Sequence, residues 1–182
     1  MTRPFTAWQR LLHWAMAIAI LAMLFIGVGM VSTLAPAYLP LIATHRTLGI
    51  VILVLAVVRL GLRWRHGAPP LPAGMPAPMR LAAHLSHYAF YVLMLGMPLI
   101  GWAMMSAAAY PIVLLGLIRL PPILPQNDAL HTLLWNAHVY LAFAFFALVV
   151  MHVAAALYHA LIRRDGVFET MAPVRADRAP AE

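Results

Sequence analysis

Four apolar stretches of about 20 residues or more, each bounded by arginine or proline, run through this chain and limit its fold more than any other feature. Helices of that length cross the hydrocarbon core of a bilayer. A soluble domain of 182 residues could not hide an apolar fraction of 64% with only 9% of its residues charged. The solvent is therefore lipid, and the expected fold is an all-α integral membrane protein, a four-transmembrane-helix bundle in one domain, 1–182. The pattern predicts helices over about 8–32, 41–65, 80–108 and 128–163. Asn127 or Asp128 caps the fourth, Arg163 and Arg164 stop it, and Pro98 is expected to kink the third. Ile112 to Ile118 is too short to cross and reads as an interfacial segment. The proline-rich stretch 67–78 reads as an extended loop, and the polar tail from about 171 to 182 as disordered.

Charge sets the expected topology. All twelve basic residues are arginine, against five acids, for a formal charge of +7. In a soluble protein that balance would suggest nucleic acid. Here the arginines sit at the ends of apolar runs, where the positive-inside rule and anionic headgroups account for them, so the partner is a lipid bilayer and no nucleic acid is expected. Four spans place Arg3, Arg10, Arg59, Arg63, Arg65, Arg80, Arg163, Arg164, Arg175 and Arg178 on one side and only Arg46 and Arg119 on the other. Both termini are expected to be cytoplasmic. The first apolar run is too long for the core of a cleaved signal, and cleavage would discard His13. With no cysteine, any haem must be held non-covalently, which points to haem b.

Nine histidines among so few charges carry the functional signal, because ionisable groups within a membrane are costly. His13 lies near the cytoplasmic start of the first helix and His45 near the opposite end of the second. The fourth helix carries His138 early and His152 late, separated by about 21 Å along the axis and only some 40° in direction. They form one stripe at two depths. A haem held by two imidazoles needs them from facing helices at one level, and one pairing satisfies that: His13 with His152, and His45 with His138. Two stacked haems follow, each iron six-coordinate, suited to electron transfer rather than oxygen binding. Zinc or copper is disfavoured, since no Cys or carboxylate completes a site. Gly27, Gly29, Gly49, Gly96 and Gly101 suit either porphyrin approach or helix packing. His159 lies about 10 Å beyond His152, placed to hydrogen-bond a quinone carbonyl or a propionate, and His131 lies equally far beyond His138. Arg46, Arg80 and His87 are candidate propionate partners, His84 stands beside them, and His66 is expected in water.

Taken together, Trp8, Arg10, His13 and Trp14, His45 with Gly49, Val58-Arg59-Leu60, Ala83-His84-Leu85-Ser86-His87, and His138, His152 and His159 resemble the bacterial cytochrome b-561 family over nearly the whole chain. More distantly, the pattern is similar to the membrane cytochrome b subunits of hydrogenases and formate dehydrogenases. The resemblance implies two haem b groups, a ubiquinone site, an inner-membrane location and superoxide:ubiquinone oxidoreductase activity. In that family the axial ligands correspond to His13, His45, His138 and His152, and His159 to a position associated with quinone. The expected enzyme takes electrons from periplasmic superoxide, with Arg46 and Arg119 to steer it, and reduces ubiquinone. The alternative is a haem-bearing anchor relaying electrons between a partner dehydrogenase or cytochrome and quinone. A proton-coupled transporter is disfavoured, because no Asp or Glu lies within the four spans.

Overall fold

The computed structural model describes residues 4–33 and 36–172. Four long helices dominate: α1 (Ala7–Ser32), α2 (Tyr38–His66), α3 (Ala77–Ala107) and α4 (Asp128–Leu157). All four are long and apolar enough to cross a membrane. α2 and α3 begin earlier than the proline punctuation suggests, because Pro40 and Pro78 lie inside the first turn, where a missing N–H breaks no helical bond. Pro98 lies inside α3, which continues past it to Ala107.

The helix ends show why the elements stop where they do. Thr6 and Gln9 form a reciprocal capping box at the start of α1, and Gln9 Nε2 then donates to the Gly67 carbonyl at the end of α2. Gly67 adopts φ 70°, a conformation a side chain would strain, and its N–H closes α2 on the Arg63 carbonyl. Asn127 caps α4 by accepting from the Leu130 N–H. At its far end α4 passes into a π turn, Tyr158–Arg163, ended by Arg164 at φ 50°, and a short 3-10 turn follows at Phe168–Thr170.

The segment read as interfacial is a two-stranded hairpin, β1 (Val113–Leu114) with β2 (Ile118–Arg119), turned by Leu115 and Gly116 at positive φ. It is pinned to the helix ends. Trp102 Nε1 donates to the Pro121 carbonyl, Ile123 N–H to the buried Ser106 hydroxyl, and His131 Nδ1 lies 3.1 Å from the Met104 carbonyl. Met104, Met105 and Ile112 form a small core beneath it.

Backbone approaches are closest within the α1–α2, α3–α4 and α2–α3 pairs. The central core gathers Met16, Ile20, Ile52, Ala56, Met94, Met97 and Phe145, from all four helices. Outward faces carry exposed Phe25, Val28, Val92, Phe143 and Leu161, as lipid-facing surfaces do. At the chain's end, Phe5 N–H donates to the Thr170 carbonyl, Trp14 Nε1 to Met171 and Arg10 to Ala172, so a strap from Asp165 to Ala172 crosses the start of α1. Of the tail expected to be disordered, Met171 and Ala172 are thus tied down, and 173–182, with Arg175 and Arg178, lie outside the described residues, as does Arg3.

Candidate functional site

Two histidine pairs face each other across the bundle. His13 on α1 and His152 on α4 have ring centroids 6.2 Å apart, and His45 on α2 and His138 on α4 lie 6.1 Å apart. α4 contributes to both because fourteen residues return its stripe to nearly the same direction two levels along. The apolar core, including Phe145 midway between His138 and His152, separates the pairs. Phe90 touches the His152 ring at 5.0 Å and Phe145 at 5.9 Å.

The spacing fits one metal ion between each pair. With metal–nitrogen bonds of about 2 Å on either side, and each ring nitrogen about 1 Å from its ring centre, two coaxial imidazoles sit about 6 Å apart, as both pairs do. Among the described residues no group of three or more His, Cys, Asp or Glu could hold a metal, so the donor set consists of pairs, which suits a porphyrin iron needing only two axial ligands. Room beside the His45/His138 pair comes from glycine. A Cβ on Gly27 would stand 3.8 Å from His45 Cε1, and one on Gly101 3.5 Å from His138 Cε1, filling the flanks of both rings. Buried polar atoms without hydrogen-bond partners among the described residues, Arg46 Nε and His45 Nδ1 here and Arg59 Nη1 at the His13/His152 pair, fit an additional polar group at each level.

Other site residues fall into two groups. His87 is brought to the His13/His152 pair, its ring 6.4 Å from His152, and Trp14 lies 5.6 Å from His13. Arg80 and His87 are both exposed, but Arg80 donates Nη2 to the Met75 carbonyl at 3.1 Å. His84 is exposed, and His66 is exposed with Nδ1 3.1 Å from the Leu62 carbonyl. In the sequence Arg59 stands among the arginines of the basic side and in the Val58-Arg59-Leu60 match, with no site role assigned. In the structure it lies near enough to act electrostatically on His13, His87 and His152, with Tyr91 as a partner. Its position two turns inside α2, rather than at the end with Arg63 and Arg65, was the available signal.

His159 occupies a separate environment. It is 8% exposed and pairs with Asp165, Nδ1 lying 2.8 Å from Oδ2 and 3.0 Å from Oδ1. Burial on its own would raise the Asp165 carboxyl. The hydrogen bonds from His159, the Val167 amide and Arg163 outweigh it and hold the acid below the usual carboxylate range.

Comparison with known proteins gives a consistent result. A model of the family described as prokaryotic cytochrome b561 matches residues 4–173. Cytochrome b561 homolog 1 of Escherichia coli (strain K12) is 32% identical over 138 residues, covering 76% of this chain and 78% of the relative. Cytochrome b561 homolog 2 of the same organism is 32% identical over 164 residues, covering 87% and 86%. A protein of Yersinia pestis named probable superoxide oxidase CybB is 32% identical over 130 residues, covering 71% and 73%.

Proposed function

The chain belongs to the prokaryotic cytochrome b561 family, and on that premise we propose that it is a di-haem b protein that oxidises periplasmic superoxide and reduces ubiquinone. The family is one of multi-pass bacterial membrane proteins that bind haem b, and the four spans agree with it. The observation that carries the finer reading is the pair of imidazole couples, 6.2 and 6.1 Å apart, separated by an apolar core. His13 with His152 would hold one haem and His45 with His138 the other. A haem held by two imidazoles in this way would supply one-electron storage and transfer.

The chain's own residues do the rest. Arg59 and His87 face the inner couple, and Arg46 adjoins His45 at the outer one, so each level has a cation for propionate. Arg46 and Arg119 give the outer face its positive charge, which favours an anionic donor. The name of the Yersinia pestis relative supports superoxide as that donor. His159, buried on the inner side beyond His152, serves to hydrogen-bond a ubiquinone oxygen. Inner-membrane placement with both termini cytoplasmic puts these two ends on the correct sides.

A haem-to-polypeptide ratio on the purified protein, with reduced-minus-oxidised spectra, tests this directly. Two haems per chain are expected. His13→Ala or His152→Ala should remove one spectral component, and His45→Ala or His138→Ala the other. Loss of the same component from His13→Ala and His45→Ala would overturn the pairing. Superoxide-driven ubiquinone reduction by the purified chain alone supports the enzyme reading. Activity only after addition of a dehydrogenase or cytochrome partner would establish the relay anchor instead.

A further inference from the structure

Beyond the haem couples, α4 loosens into the π turn Tyr158–Arg163, and such turns concentrate at functional sites. The wider turn, closed by the Arg164 N–H on the His159 carbonyl at 2.8 Å, lets Asp165 reach back to the ring of His159. Asp165 is held on every side: Arg163 Nε reaches Oδ2 at 3.0 Å and the Val167 N–H reaches Oδ1 at 3.3 Å. An ionised carboxylate only accepts, so the imidazole proton facing it sits on Nδ1. Nε2 is left without a partner among the described residues.

We infer that Asp165 is a positioning residue that makes His159 the proton donor to the ubiquinone oxygen. It keeps a proton on Nδ1, presents Nε2 to the substrate and stabilises the cation formed when Nε2 is protonated. This rests on the quinone reading of His159. In the balanced reaction, two superoxide ions each give up one electron and leave as dioxygen, and one ubiquinone takes both electrons and two protons. One of those protons leaves His159 Nε2, which regains it from cytoplasmic water.

The surrounding charges do not duplicate Asp165. On the same segment stand Tyr158, Arg163 and Arg164, and on the 3-10 turn Glu169, which is exposed. α4 offers His152, already in the inner couple. α3, whose Met79 takes the other end of Arg163 at 3.7 Å, carries Arg80, His84 and His87, and α1 carries Arg10 beneath the strap. Asp165 is the carboxylate in contact with His159 among the described residues.

The test uses the haem-loaded protein with superoxide and a short-chain ubiquinone. Asp165→Asn keeps an acceptor but removes the charge. It should lower kcat by about tenfold or more at neutral pH while KM stays within about twofold, and move the alkaline limb of the rate profile to lower pH. Asp165→Glu should recover much of the rate. ¹⁵N spectra of labelled histidine in the unsubstituted protein should show His159 protonated on Nδ1. If His159→Gln is slow while Asp165→Asn matches the original, the quinone reading stands and this inference falls. If both variants are as fast as the original, the quinone reading itself fails. Should Asp165→Asn lose haem, the ¹⁵N signal decides, and a neutral ring with its proton on Nε2 and none on Nδ1 overturns the proposal.

Discussion

A guanidinium two turns inside a membrane helix is costly unless an anion meets it, and Arg59 has that position. Arg63 and Arg65 lie nearer the helix end and can extend toward headgroups, as snorkelling side chains do. Arg59 instead lies near the His13/His152 couple, with Nη1 buried and unmatched among the described residues. A fixed positive charge there would favour the reduced state of a haem held by that couple. Arg59→Gln should therefore lower the midpoint potential of one haem by on the order of tens of millivolts, by simple electrostatics at an effective protein dielectric, and leave the other nearly unchanged. Redox titration followed by optical spectra measures it, and equal shifts in both haems would count against the placement. The same residue shows a boundary of sequence reading. An arginine near the end of an apolar run looks identical whether it turns outward to water or inward to a cofactor, because hydropathy records depth and not direction.

At the scale of elements, the strap from Asp165 to Ala172 ties the end of α4 to the start of α1 at one end of the bundle. Trp14 places its ring beside His13 and its indole N–H on the Met171 carbonyl at 2.9 Å, so the strap leans on a proposed haem ligand. Its other anchor is Asp165. Because the acid's pKa in the fold lies below its ordinary value, its contribution is full above about pH 3.9 and is lost as pH falls through the lowered folded value. Exchange of the Trp14 indole proton should accordingly speed up only on strong acidification, and Asp165→Asn should show faster exchange already at neutral pH. No change between the two proteins would mean that the strap is held by its backbone bonds alone. This element was invisible in the sequence. Asp165 lies in a short polar stretch after Arg164, and only the π turn brings it back to His159, a geometry that no periodicity encodes. The hairpin at 113–119 escaped notice for a related reason: its strands are two residues each, too short for alternation to register.

For the whole molecule, the expected orientation rests on the distribution of arginines, and the absence of cysteine makes it simple to measure. Leu117→Cys sits on the exposed hairpin and Gly74→Cys on the exposed loop between α2 and α3. A membrane-impermeant thiol reagent applied to intact cells should label the first at once and the second only after the inner membrane is opened. The reverse pattern would invert the proposed topology and place the His45/His138 couple toward the cytoplasm. By itself the sequence determined the solvent, the count of spans and the depth of each histidine, because hydrophobic length and the rise per residue act along one dimension. Tertiary structure alone decided that the two couples expected from depth close to about 6 Å, that Arg59 lies near His13 and His152, and that Asp165 closes on His159. Those outcomes depend on how helices rotate and pack about one another, where side-chain contacts between distant segments, not local composition, set the free energy.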